Sequence, residues 1–281
     1  MLILVRMSAD RPIRRLAALV AAIGLALAAV AALALWRPWA APSAPPAAAA
    51  EGTVVQPAPL AVPDDATVLV FGDSWTYGSA ATAPEGGYAY RLGELEGWAE
   101  TIVDGVRGSG YLKPGIDGPD FGDRIAALDP DLDPDLVIVQ GSINDRRQDL
   151  SRYSDAVTAA WDDLAAVYPD AQIVVLGPAP QVLPVEEATA EIDRRLAQLA
   201  GARGWWYLSP VQGEWITAAD YAWIIDTSEA GADHPSDDGH AYLAERVAAA
   251  LDALAQPVVV EAADEQPEPA LPDVYEAPSE R

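Results

Sequence analysis

The chain has 281 residues, 43 acidic against 17 basic side chains for a formal net charge of −26, two His and no Cys. Such a charge argues against a nucleic-acid partner, whose phosphates call for basic patches, and none is expected. Without Cys there is no disulfide framework, thiolate nucleophile or Cys-ligated metal, and two His leave no room for a His-rich metal site. Neither a metal nor a cofactor is expected.

Leu16–Trp36 forms 21 residues without a charge, enough for a hydrocarbon span. Arg6, Arg11, Arg14 and Arg15 precede it, which orients the N-terminus inward and everything after Trp36 outward. The segment reads as an uncleaved single-pass anchor, with a cleaved signal peptide and a secreted product as the rival. The expected organisation is a cytoplasmic basic segment (1–15), the transmembrane anchor or signal (16–36), an Ala/Pro-rich linker (37–64), a folded domain (65–257) and an acidic disordered tail (258–281). Residues 1–37 carry a net charge of +4, leaving −30 for the rest. A domain that acidic is expected to stand off anionic lipid, touching the membrane through the N-terminal helix only.

Within the middle segment, strand and helix patterns alternate. Thr67–Phe71, Glu100–Val103, Asp135–Gln140, Gln172–Leu176 and Trp205–Leu208 read as strands, mostly as continuous apolar runs suited to a sheet covered on both faces. Tyr88–Leu95, Ser154–Tyr168, Glu186–Ala200 and Asp237–Leu254 show helical spacing, with Gly201 as a C-terminal cap and Ser236 as an N-cap. This order predicts a three-layer α/β/α sandwich on a five-stranded parallel sheet, with any site beyond the C-terminal strand ends.

Chemistry-bearing residues collect at those ends. Gly72-Asp73-Ser74 follows the first strand, Gly105–Tyr111 the second and Gly141-Ser142-Ile143-Asn144-Asp145 the third. His234-Pro235 precedes the last helix. Ser74 would open a helix, where backbone donors favour developing negative charge, and His234 could return beside it as base. Asn144 and the Gly108 N–H could face a carbonyl oxygen, completing a nucleophile, base and oxyanion set without a GxSxG elbow. The Asp-rich stretch Asp129–Asp135 lacks calcium-loop spacing and reads as a solvated acidic turn.

These four segments resemble, in order, the conserved blocks of the SGNH/GDSL hydrolases, over about residues 66–254. The resemblance implies a flavodoxin-like fold and a carboxylic ester hydrolase with Ser74 as nucleophile and His234 as base. It also implies an oxyanion hole from Ser74, Gly108 and Asn144. One departure stands out. The family places Asp three residues before the catalytic His, and here that position is Gly231. Asp233 or Glu229 is then the candidate orienting carboxylate, with a backbone carbonyl as the alternative. A literal DxxH at Asp237–His240 would make His240 the base, but Pro235 and Gly239 fit the block better around His234, leaving His240 a structural role. Asp73 and Asp145 are expected to brace the loops, with orientation of Asn144 as the alternative role for Asp145. The implied function is an extracytoplasmic serine esterase acting through an acyl-enzyme on acetyl or short-acyl esters of glycans, cell-wall material or small lipids. The alternatives are an O-acyltransferase on envelope sugars and a catalytically weakened envelope-binding module. Trp75, Trp205, Trp206, Trp215, Tyr221 and Trp223 either line a sugar or acyl pocket or pack the core and rim; packing is the favoured reading.

Overall fold

A computed structural model describes residues 57–256 of the chain. All of them belong to one unit. The expected linker and tail fall largely outside the described residues. The end of the linker does not: Leu60 is buried, and its N–H donates to the Leu254 carbonyl at 2.9 Å.

Five strands build one sheet: β1 (Thr67–Gly72), β2 (Glu100–Gly105), β3 (Leu136–Gln140), β4 (Gln172–Leu176) and β5 (Trp206–Leu208). They lie in the order β2-β1-β3-β4-β5, and every neighbouring pair is parallel. Side chains alternate across the pleat, so each strand feeds two cores. Val68, Val70, Leu136, Ile138, Val174 and Leu176 pack on one face, Leu69, Phe71, Val137, Val139, Ile173 and Val175 on the other.

The first face is covered by α2 (Tyr88–Glu96) and the long C-terminal α7 (Asp237–Ala255). The second is covered by α3 (Phe121–Ala126), α4 (Tyr153–Val167) and α5 (Glu187–Arg203). The expected three-layer sandwich on a parallel sheet is therefore present. A short α1 (Ser74–Tyr77) follows β1, and α6 (Tyr221–Ile224) runs into a two-residue strand, β6 (Ile225–Asp226). That strand pairs antiparallel with β7 (His234–Pro235). Two boundaries differ from expectation. Helix α5 passes through Gly201 and stops at Gly204, whose φ of 69° makes it the cap. Helix α3 was not foreseen.

The membrane expectation requires correction. Leu16–Trp36 lies outside the described residues. Among the described residues, no helix is long and apolar enough to cross a membrane. Even α7, 19 residues long, buries one face and carries Asp237, Asp238, Glu245, Arg246 and Asp252 on the rest of its surface or ends. The transmembrane helix, the single-pass localisation and membrane contact through an N-terminal helix are accordingly no part of the fold the structure supports. That fold is a parallel five-stranded sheet with flanking helices.

Candidate active site

The residues singled out in the sequence converge at the C-terminal edge of the sheet. β1 ends at Gly72, and Asp73 caps α1 by accepting from the Trp75 N–H at 2.9 Å. Ser74, the first helical residue, is thereby fixed at the pocket. His234 arrives from the far end of the sequence. The β6–β7 pairing sets Asp226 opposite His234, and the turn between them is tied by the Asp226 carboxylate on the Ser228 N–H at 2.9 Å. The His234 Nε2 stands 2.8 Å from the Ser74 Oγ.

The other ring nitrogen, Nδ1, lies 3.0 Å from the Gly231 carbonyl oxygen. Neither Asp233 nor Glu229 is the ring's partner, so the carboxylate expectation gives way to a backbone acceptor. Geometry explains why. A Cβ at Gly231 would sit 2.2 Å from the Asp226 Cγ, so no side chain fits at the position the DxxH pattern would fill. Ala232 and Asp233 then turn through left-handed backbone, φ 48° and 60°, and the Asp233 N–H is spent on the Asp226 carbonyl at 3.1 Å. A carbonyl can only accept, so Nδ1 carries the proton and Nε2 presents its lone pair to the Ser74 hydroxyl.

Gly108 bends the loop after β2 with φ 75°, a conformation that favours glycine. The loop is held by Asp145, whose buried carboxylate accepts from the Tyr111 N–H at 2.7 Å, the Leu112 N–H at 3.0 Å and the Ser142 hydroxyl at 2.5 Å. Asp145 thus braces the loop that carries Gly108, and none of these bonds goes to the Asn144 amide. Asn144 donates through Nδ2 to the Ser109 carbonyl at 3.0 Å and, more loosely, to Asp73 at 3.4 Å. Burial raises the Asp73 carboxyl to about 7, opposed by the Trp75 N–H and by the charge of Arg124.

His240 is placed elsewhere. Its Nδ1 accepts from the Tyr88 N–H at 3.1 Å and its Nε2 contacts the Ser79 carbonyl at 3.0 Å, joining α7 to the start of α2. Burial lowers its pKa to about 4.

A further residue ties the ends of these segments together. Arg124, 7 % exposed, reaches from α3 across three segments. It donates to the Gly72 carbonyl at 2.9 Å, the Ser109 hydroxyl at 3.0 Å and both the carbonyl and carboxylate of Asp104 at 2.7 Å. Its guanidinium also lies 4.1 Å from the Phe71 ring centroid. A lone Arg in a six-residue helix carries no sequence signature for this.

Ser74, Gly108, Asn144 and His234 share one open pocket of about 460 Å³. Small residues wall much of it, among them Gly78, Ser79, Ala80, Ala230 and Ala232. Among the described residues no tryptophan lines it: Trp75 and Trp215 are buried in the core, and Trp205 packs on Trp161. They pack core and rim, and the pocket's aromatic wall is Tyr77.

The model of the GDSL-like Lipase/Acylhydrolase family matches residues 70–242. The chain belongs to this family. A GDSL lipase of Mycobacterium tuberculosis is 32 % identical over 197 residues, covering 64 % of this chain and 79 % of that protein. Among solved structures, a G-D-S-L family protein from Desulfitobacterium hafniense superposes with a TM-score of 0.54 at 18 % identity, over 66 % of this chain and 98 % of the other. A carbohydrate esterase family 2 enzyme with a carbohydrate-binding domain, from Corynascus thermopiles, gives 0.52 at 18 % identity, over 70 % and 68 %. These two likenesses concern the fold. As a GDSL-like protein, the chain has serine-type hydrolase activity on esters as its family-level function.

Proposed function

We propose that the chain is a serine esterase in which Ser74 is the nucleophile, His234 the base and the Gly231 carbonyl the group that orients the ring. The observation that carries this reading is the pair of contacts on one imidazole, Nε2 to Ser74 at 2.8 Å and Nδ1 to Gly231 at 3.0 Å. His234 Nε2 takes the hydroxyl proton as Oγ bonds to the ester carbonyl carbon. The oxyanion is met by the N–H groups of Ser74 and Gly108 and by the Asn144 amide, whose loose contact with Asp73 is the one to yield. The carbon–oxygen bond to the alcohol breaks, and the alcohol leaves with the proton from His234. Water then attacks the acyl-enzyme, giving a proton to His234, which returns it to Ser74 as the acyl–oxygen bond breaks.

A carboxylate stabilises an imidazolium better than a neutral carbonyl does. The carbonyl nevertheless enforces the right tautomer, whose loss accounts for the about 10⁴-fold defect of a triad enzyme with its Asp changed to Asn. This supports a working dyad over a silent binding module. The small-residue wall favours short acyl groups, and the carbohydrate esterase among the fold relatives is in keeping with acetylated glycans as substrates. Replacing Ser74 with Ala is expected to lower kcat/KM on p-nitrophenyl acetate by about 10³-fold or more without lowering Tm. Wild-type turnover by that variant would end the assignment.

A further inference from the structure

The chain contains a single lysine, Lys113. It lies on the wall of the pocket that holds Ser74 and His234. An ammonium has three donors. Lys113 spends one on the Gly108 carbonyl at 2.8 Å. No carboxylate lies within 4.0 Å of it among the described residues. Asp145 is close enough to feel its charge but already spends its oxygens on Ser142, Tyr111 and Leu112.

Arg107 stands on the same wall, its guanidinium 5.2 Å from the Tyr77 ring centroid. Asp117 pairs with one edge of it at 2.7 Å. The pocket lining has a second property. It includes Lys113 and Arg107 and, among the described residues, no Asp or Glu. On a protein with a net charge of −26, a wall on which the described residues set two cations and no carboxylate departs from the overall balance.

We infer that this pocket selects esters that carry a negative charge, with Lys113 as the principal anion-binding group and Arg107 beside it. The inference rests on the esterase reading for turnover, though not for binding. The scissile carbonyl would sit at Ser74, and the carboxylate or comparable anion of the substrate would take the two remaining Lys113 donors. The charge can belong to the acyl group or to the alcohol, since either, bonded to a carbonyl carbon at Ser74, would stand in the pocket that Lys113 lines.

The test compares matched esters with the full chain. Mono-p-nitrophenyl succinate against p-nitrophenyl acetate reads charge on the acyl side. 4-Acetoxybenzoate against its methyl ester reads charge on the alcohol. The wild type is expected to favour the anionic member of at least one pair by about tenfold in kcat/KM. Lys113→Met is expected to remove most of that preference and Lys113→Arg to keep it. The ratio matters because Lys113→Met also frees the Gly108 carbonyl and lowers both rates. Equal or lower rates on both anionic esters, with normal turnover of the neutral ones, would overturn the inference and leave the esterase reading intact. Calorimetry on Ser74→Ala with monomethyl succinate and dimethyl succinate reads the anion site without turnover. Tighter binding of the monoester there supports the site even if no ester is hydrolysed, a result that would count against the esterase reading alone. Equal binding of the two rejects the site.

Discussion

At the scale of single residues, the site turns on what orients one imidazole. The sequence offers Asp233, Glu229 or a backbone carbonyl for this role, and the ring contacts the Gly231 carbonyl. The chain cannot be returned to the DxxH pattern by a single change. Gly231→Asp would drive its Cβ to 2.2 Å from the Asp226 Cγ, and the displaced carbonyl would release the ring. Kinetics should show kcat/KM falling by at least about tenfold in Gly231→Asp, and Gly231→Ala should fall similarly because the clash begins at Cβ. A rise in Gly231→Asp would mean that the turn can open to accept a side chain. Ser74, Gly108, Asn144 and His234 were legible because each sits just past a strand end or ahead of a helix in a recognisable block. Gly231 was not, since a backbone carbonyl has the same chemistry in every residue. Lys113 was passed over for a related reason. A lysine in a loop looks solvated until the fold sets it against a pocket.

At the scale of elements, most strands were legible because short apolar runs next to Gly or Pro are too brief for helices and suit a sheet covered on both faces. Helix α3, the sequence FGDRIA, is too short to show helical spacing, and the two-residue β6–β7 pairing has no period at all. Yet these small elements position the chemistry. Arg124 of α3 joins the ends of β1 and β2 to the loop behind Gly108, over sequence separations of 52, 20 and 15 residues. Arg124→Met removes the donors and leaves the Asp104 carboxylate, the Gly72 carbonyl and the Ser109 hydroxyl without their partner. Breaking a largely buried pair of this kind costs about 3 kcal/mol, so urea unfolding should move to a clearly lower midpoint. Since the same side chain ties Gly72 to Ser109, kcat should fall more than KM rises for a neutral ester under conditions where the variant is fully folded. Unchanged kinetics with lowered stability would confine Arg124 to holding the fold.

At the scale of the whole molecule, two buried titratable groups tilt stability against each other. Asp73 has its carboxyl raised from 3.8 to about 7 by burial. The folded chain therefore holds that proton more tightly than the unfolded one. Its contribution to stability is complete below 3.8 and is lost as pH rises through about 7. His240 is the opposite case, lowered from 6.5 to about 4 by burial, with both ring nitrogens engaged. Its contribution is complete above 6.5 and is lost as pH falls through about 4. Between pH 4 and 7 the two slopes have opposite sign and partly cancel, so the wild type alone does not separate them. Variants separate them. Asp73→Asn keeps an oxygen for the Trp75 N–H but cannot ionise, so its urea midpoint should gain on the wild type as pH rises from 4.5 to 7.5. His240→Asn can still accept from Tyr88 or donate to Ser79, and its midpoint should gain on the wild type as pH falls over the same range. Each comparison rests on the slope, not on the absolute stability of the variant, so a uniform loss from imperfect packing leaves it readable. Parallel curves for Asp73→Asn and wild type would mean that Asp73 is ionised in the fold throughout this range. The buried carboxylate would then be held by Arg124 and the Asn144 amide more strongly than burial opposes it.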